Sequence, residues 1–231
     1  MSVLDSCKKT VHLIIMDIAA FVDDSIARAD TEQVTLPSEI LTLIGMTGVK
    51  TRQFYNAICS RPNTSYLEIG TWYGSSSISA LHGNTVSATF IDNWSQFGGN
   101  KDVLVSALEK YKGKSTYVLI ESDAWTVDHS NLGMFDVYLY DGGHSYDDQY
   151  KGISQYIQHL KDGCIVMVDD WNWADVRNGT LDAFRDLKTE IIHTREIFTT
   201  VTHFDPGRPD AAPWWNGIGI FVIGTNRHKK V

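Results

Sequence analysis

Apolar and polar positions follow two rhythms along this chain. Val11, Ile14, Ile15, Ile18, Phe21, Val22 and Ile26 recur at helical spacing, which predicts an amphipathic helix over residues 4–28. After Pro37 comes a short apolar segment, Leu41 to Gly48. A second helix is predicted from about Lys50 to Cys59, broken by Arg61-Pro62-Asn63. From there, short apolar runs alternate with helical stretches. Tyr66 to Ile69, Thr85 to Ile91, Thr116 to Ile120, Met134 to Tyr140 and Cys164 to Val168 read as strands. Ser75 to Leu81, Val103 to Tyr111, Asp147 to Leu160 and Thr180 to Thr189 read as helices, with Lys161-Asp162-Gly163 a closing turn. Ile191 to Thr200 and Asn216 to Ile223 are two late strands, separated by a loop that runs from Asp205 to Trp215. The mostly apolar first run suits a parallel strand covered on both faces. The βαβα alternation predicts an α/β domain with right-handed crossovers.

The chain is organised around Tyr66-Leu67-Glu68-Ile69-Gly70-Thr71-Trp72-Tyr73-Gly74-Ser75-Ser76. Strand, glycine turn and helix start a βαβ unit. The glycines admit a ligand to the backbone, and the helix N-terminus offers free N–H groups. Glu68 stands at the end of the apolar strand, placed to accept from a cationic amine or from loop amides. A dinucleotide turn would read G-x-G-x-x-G. Here Trp72 stands at the middle glycine, which argues against a pyrophosphate and suits a ligand without phosphate, such as S-adenosylmethionine (SAM).

This stretch resembles the first motif of class I SAM-dependent methyltransferases, and most of all the branch of catechol O-methyltransferase. The resemblance covers about Thr47 to Ile223. It implies a Rossmann-like, mostly parallel sheet of seven strands in the order 3-2-1-4-5-7-6, with helices on both faces and an antiparallel last hairpin. Residues 1–46 form an N-terminal helical extension, and 47–231 the methyltransferase domain. Glu68, Gly70, Thr71, Gly74 and Ser76 would then belong to the cofactor site. Asp92 ends the second strand 22 residues past Gly70, where such folds bind ribose hydroxyls, with Asn93 beside it. Ser122, Asp123 and Ala124 would line the adenine pocket, Asp123 accepting from the exocyclic amine. Trp94 could cover a base or simply pack.

Strands of such a sheet end at one edge, so Glu68, Asp92, Asp123, Asp141, Asp169 and Asp170 converge on one rim. Clustered carboxylates repel one another unless a cation neutralises some of them, and oxygen ligands suit Mg²⁺ first, or Ca²⁺ or Mn²⁺. Asp141-Gly142-Gly143-His144-Ser145-Tyr146 carries the second resemblance, to catechol-type and macrocin-type metal-dependent O-methyltransferases. In the former, the fourth strand ends in a metal-ligating Asp with a catalytic lysine three positions on. Here His144 stands at the lysine position, and Asp169-Asp170 replaces Asp-Asn, 28 residues after Asp141. By this resemblance Asp141, Asp169 and Asp170 are metal ligands, with Asp141 also at the cofactor. The macrocin-type acid two positions after the first Asp is absent, because Gly143 stands there. A histidine with an ordinary pKa of about 6.5 can take a proton near neutrality, so His144 is the candidate general base. Metal ligation and bracing of the loop are its other readings. Trp171, Trp173, Trp214 and Trp215 flank the rim and suit an aromatic or sugar acceptor. The loop carrying Asp205 to Trp215 is expected to act as a lid.

Composition narrows the partners. The 231 residues carry a net charge of -8, with 43% hydrophobic and 21% charged positions and no long Lys/Arg run, which disfavours nucleic acid. Cys7, Cys59 and Cys164 form no pairing motif and suit a reducing compartment, hence a cytoplasmic location. The run Val11 to Val22 is short and interrupted by Asp17, so it reads as a helix, not as a signal peptide or membrane span. An oligomer is compatible with this sequence. The expectation is a SAM-dependent O-methyltransferase acting on a small hydroxylated acceptor with a divalent cation. Its rivals are a SAM-binding protein without catalysis and a nucleotide-dependent oxidoreductase, the latter disfavoured by Trp72.

Overall fold

The structure, a computed structural model, describes residues 3–31, 33, 36–200 and 212–224, and the side chains of the first helix from Asp17 onward. Seven strands form one sheet: β1 (Thr64–Ile69), β2 (Val86–Asp92), β3 (Thr116–Glu121), β4 (Phe135–Tyr140), β5 (Leu160–Asp169), β6 (Glu190–Ile197) and β7 (Ile218–Gly224). Their order is β3-β2-β1-β4-β5-β7-β6. Pairing is parallel from β3 through β5, and β7 runs antiparallel to both β5 and β6. This is the expected topology.

The helices are α1 (Val3–Asp30), α2 (Ser38–Leu41), α3 (Val49–Ile58), α4 (Ser75–Leu81), α5 (Lys101–Tyr111), α6 (Tyr146–Ser154) and α7 (Ala174–Asp186). Two apolar clusters flank the sheet. One contains Val22 of α1, Phe54 of α3, Ile78 of α4 and Leu104 of α5 against Tyr66 and Phe90. The other contains Ile153 of α6 and Phe184 of α7 against Leu67, Val166 and Phe221. Crossovers after β1 and β2 therefore cover one face, and those after β4 and β5 the other. The sense of winding reverses between β1 and β4, where ligands of open α/β sheets bind.

Two helix boundaries differ from the sequence reading by six residues. The helix expected over 147–160 stops at Ser154, and a single 3₁₀ turn, Ile157–His159, follows it. Lys161-Asp162-Gly163 is not a helix-closing turn but the first part of β5. There the register against β4 slips, so that Phe135 faces Leu160 but Val137 faces Ile165. Gly163, at φ 78°, absorbs the extra residues. The helix expected from Thr180 begins already at Ala174. An Asn-Gly pair ordinarily marks a turn, yet Gly179 lies inside α7. A Cβ there would come within 2.3 Å of the Tyr146 carbonyl oxygen, so the glycine lets α6 and α7 close on each other.

The described part of α1 packs into the first cluster through Ile18, Val22 and Ala29. Asp23 accepts from His193 Nε2 at 2.8 Å and from Arg195 Nη2 at 2.7 Å on β6. No described helix is long and apolar enough to cross a membrane. Cys59 and Cys164 are buried thiols.

Candidate active site

A cavity of about 400 Å³ opens at the C-terminal ends of β1, β2 and β4. Its floor is the glycine turn. Gly70 has φ 85°, and a Cβ there would sit 2.0 Å from the Asp141 carbonyl oxygen. Only glycine lets the turn pass so close to β4. The turn is fixed from the neighbouring strand. Asp92 Oδ2 accepts from the amides of Thr71 and Trp72, both at 2.7 Å, and Oδ1 from the amide of Trp94 at 2.7 Å. Gly70, Thr71, Trp72 and Ser76 line the cavity, as do Asp92 and Asn93.

Glu68 and Gly74 do not line it, contrary to the sequence reading. Glu68 is fully buried beneath the turn, accepting from Ser76 Oγ at 2.5 Å and from the Tyr66 hydroxyl at 2.8 Å. It shares its strand face with Tyr66, two residues back, and that face is covered by helices. Burial pushes its carboxyl up from 4.5 to about 7, against the pull of the hydroxyls. Gly74, at φ 87°, faces α5: a Cβ there would meet Leu104 Cδ1 at 2.2 Å. Both residues support the turn from behind.

The adenine side expected from the sequence is Ser122, Asp123 and Ala124, which all line the cavity after β3. Asp123 Oδ1 accepts from the Trp125 amide at 2.8 Å, a local turn that fixes its side chain. The Tyr156 hydroxyl anchors this loop from below by donating to the Ala124 carbonyl at 2.6 Å.

Opposite lie the ends of β4 and β5. Donor atoms of Asp141, His144 and Asp170 all fall within 4.8 Å of one another. The sequence reading groups Asp169 with the other two acids as metal ligands and takes His144 first as the base, with ligation and loop bracing as its other readings. In the structure His144 joins the cluster, its Nε2 lying 2.7 Å from Asp170 Oδ2. Asp169 lines the same cavity and is 3% exposed, and its Oδ1 is buried without a hydrogen-bond partner. The fully buried Tyr55 of α3, which feels the charge of Asp169, also has an unpartnered hydroxyl. Burial, then the neighbouring acids, holds the Asp141 and Asp169 carboxyls well above the usual range. Such a set of crowded acids beside an imidazole could hold a divalent cation.

The loop carrying His144 is tightly held. The Gly143 carbonyl accepts from Gln149 Nε2 at 3.0 Å and the Tyr140 hydroxyl at 3.2 Å. A side chain at 143 would start 2.5 Å from Asp148 Oδ2, which explains why glycine occupies that position. Asp170 itself has φ 56°. Aspartate tolerates this left-handed backbone better than most residues. Held strain of this kind costs on the order of 1–3 kcal/mol and clusters at working sites.

The four tryptophans divide. Trp173 and Trp215 line the cavity, and Trp173 meets the His144 ring edge-on with centroids 4.7 Å apart. Trp171 is core instead: it is fully buried, donates to Glu196 at 2.8 Å and packs on Phe221. Trp214 packs on Phe54 and donates to Asp30 at 3.1 Å. Of the lid expected over 205–215, residues 205–211 lie outside the described residues. Sequence reading also missed the outer wall formed by Met46 and Thr47 and by Ser95, Gln96 and Phe97. Neither segment has a motif, and only the glycine pair Gly98-Gly99 hints at a turn there.

Comparison with known proteins agrees with this fold. Residues 67–171 match the model of a family described as a methyltransferase domain. No curated protein matches the chain by sequence. Among solved structures, SMU.776, assigned as a methyltransferase and solved with S-adenosylhomocysteine (SAH), aligns with a TM-score of 0.55 at 13% identity, over 79% of this chain and 50% of that one. A Streptococcus mutans protein assigned as a SAM-dependent methyltransferase gives 0.52 at 13% identity, over 75% and 47%. YjhP of E. coli gives 0.51 at 14% identity, over 82% and 100%. The chain spans about half the length of the first two. Between Leu67 and Trp171, therefore, this chain is similar to a methyltransferase domain, and its sheet has the fold of solved SAM-dependent methyltransferases.

Proposed function

We propose that the chain is a SAM-dependent O-methyltransferase that acts on a small hydroxylated acceptor, aromatic or sugar, with the help of a divalent cation. One observation carries this reading. An imidazole and several crowded carboxylates face the same cavity as the glycine turn. Gly70, Thr71, Ser76, Asp92, Asn93, Ser122, Asp123 and Ala124 would hold the cofactor. Asp141, Asp169 and Asp170 would hold the cation. The buried, unpartnered Oδ1 of Asp169 and the raised carboxyls of Asp141 and Asp169 fit a positive ion at this wall.

When bound, SAM supplies an electrophilic methyl group, and a divalent cation supplies Lewis acidity toward a hydroxyl. The chain's own groups do the rest. His144 takes the acceptor's proton as the oxygen–methyl bond forms. The glycine turn and Asp92 set the direction of approach, and Trp173 and Trp215 border the open side of the cavity and exclude water.

Three measurements test this reading together. Isothermal calorimetry should show SAM binding that EDTA barely alters, while Mn²⁺ binding, followed by electron paramagnetic resonance, should be lost in Asp141→Asn. Methyl transfer to a panel of catechols and sugars should stop in EDTA and return with Mg²⁺. His144→Ala should lower kcat by about 10²–10⁴-fold, the usual share of a positioned base. Full turnover in EDTA would remove the cation, and full turnover in His144→Ala would return that residue to bracing its loop.

A further inference from the structure

Asp170 has two carboxylate oxygens, and each has a separate partner. Oδ2 faces His144 Nε2 at 2.7 Å. Oδ1 accepts from the side-chain amide of Asn216 at 2.9 Å. Asn216 is 3% exposed and Asp170 8%, so the contact between them is shielded from water, while the His144 side chain at the cavity is 25% exposed. Asn216 lies just before β7, on the segment that also carries Trp214 and Trp215. Its backbone is tied independently of its side chain: its carbonyl accepts from the Asn172 amide at 3.0 Å, and the Gly217 carbonyl accepts from the Trp171 amide at 3.3 Å. The turn can therefore stay in place when the amide side chain is removed. What changes then is the hold on Asp170.

The chemistry of the contact sets the histidine tautomer. An ionised carboxylate can only accept, so the ring nitrogen facing it must carry the hydrogen. With Nε2–H donating to Asp170, Nδ1 is the nitrogen with the free lone pair. Trp173 bears on the ring from the side, at an interplanar angle of 87°. Asn216, Asp170 and His144 thus form a line in which the outermost amide fixes the carboxylate, and the carboxylate fixes the ring.

We propose that Asn216 is a positioning residue: by holding Asp170 Oδ1 it keeps Oδ2 on His144 Nε2, and so presents His144 Nδ1 to the acceptor hydroxyl. In the transfer, the acceptor O–H bond breaks and its proton goes to Nδ1. The oxygen's electron pair forms the bond to the methyl carbon, and the carbon–sulfur bond electrons leave with S-adenosylhomocysteine. This inference rests on the base assignment of His144 made above, but its first readout does not need turnover.

The test is ¹⁵N NMR of the histidine side chains in the full chain, with His144 assigned by the signal lost in His144→Gln. The wild type should show His144 protonated at Nε2 and bare at Nδ1, with an Nε2–H slow to exchange. Asn216→Ala should exchange that proton faster and mix the tautomers, with thermal stability and SAM affinity close to wild type. If the alanine variant does not fold, Asn216→Leu preserves the volume and removes the donor, and the same readout applies. In turnover, kcat should fall about 10–100-fold, as for loss of an outer partner of a site ligand, with acceptor KM nearly unchanged. An unchanged His144 signal in a folded Asn216 variant would overturn the inference, whatever the activity. A signal present in the wild type and lost in the Asn216 variant, in a protein that transfers no methyl group, would leave the positioning intact and defeat the proposed function instead.

Discussion

Asp92 holds the glycine turn from the next strand, a role separate from the ribose contact proposed for it. Its two oxygens accept from three backbone amides, leaving limited lone-pair capacity for a ligand hydroxyl. Asp92→Ala should weaken SAM binding by roughly 1.5–3 kcal/mol, as for hydrogen bonds to a charged group. Asp92→Asn should weaken it as well, because one of its two positions becomes a donor facing N–H groups. Calorimetry giving wild-type affinity for both would take Asp92 out of the site. Glu68 offers a test by pH. Its folded carboxyl titrates near 7, while the unfolded chain ionises it at about 4.3. Between those values the unfolded state has released a proton that the folded state keeps, so stability falls as pH rises and then levels off above about 7. Glu68→Gln removes that slope. The melting temperature of the variant minus that of the wild type should climb from about pH 5 to 7 and then flatten. A difference independent of pH would mean that Glu68 is ionised throughout. Single residues were only partly legible in the sequence. Strand ends announced Asp92, Asp141, Asp169 and Asp170, because position on a parallel strand fixes the rim. Whether a side chain beside the rim faces cavity or core depends on one turn of backbone, which is why Trp173 lines the site and Trp171 is buried.

Elements were more legible than their ends. Each expected strand exists, because apolar runs between turn residues leave few alternatives. Misplaced boundaries occur where tertiary packing overrides a local signal: Gly179 inside α7, Gly163 inside β5. The segment between α2 and α3 was the hardest to read, since its order comes from one distant side chain. Arg52 of α3 is fully buried, and its guanidinium donates to the carbonyls of Ile40, Leu43 and Thr47, each at 2.9 Å. Burial lowers its pKa to about 10, which still leaves it charged at neutrality. It shapes the wall that presents Met46 and Thr47, and Thr47 Oγ1 pairs with Ser75 Oγ at 2.9 Å. Arg52→Met should cost about 3 kcal/mol or more, because it removes the guanidinium donors of three carbonyls, of which that of Ile40 keeps only a long bond from the Leu43 amide at 3.3 Å. Arg52→Lys should recover little, since an ammonium cannot fork to three acceptors held by a planar group. Denaturant melts measure both, and a loss under about 1 kcal/mol would mean that the carbonyls rehydrate freely.

At the scale of the whole molecule, the sheet order was legible only through resemblance, because nothing local tells β7 to insert between β5 and β6. That insertion has a consequence in time. β6 is made before β7, yet its sheet partner is β7. While a ribosome adds the residues between them, at about 5–20 per second, β6 waits for roughly one to several seconds without a neighbour in the sheet. During that interval the far edge of β5 is also open, and Trp215 and Asn216 have not yet been added. The glycine turn, the rim acids and His144 already exist by then, but the wall that completes the cavity does not. Nascent chains arrested with Ile197 outside the exit tunnel should therefore gain no protection from proteolysis when SAH is supplied, whereas chains extended past Gly224 should. Protection of the shorter chain would mean that the glycine turn alone suffices. Completion of the cavity then waits on the chain leading into β7, and until that arrives the glycine turn and the rim acids stand without the wall that Trp215 supplies.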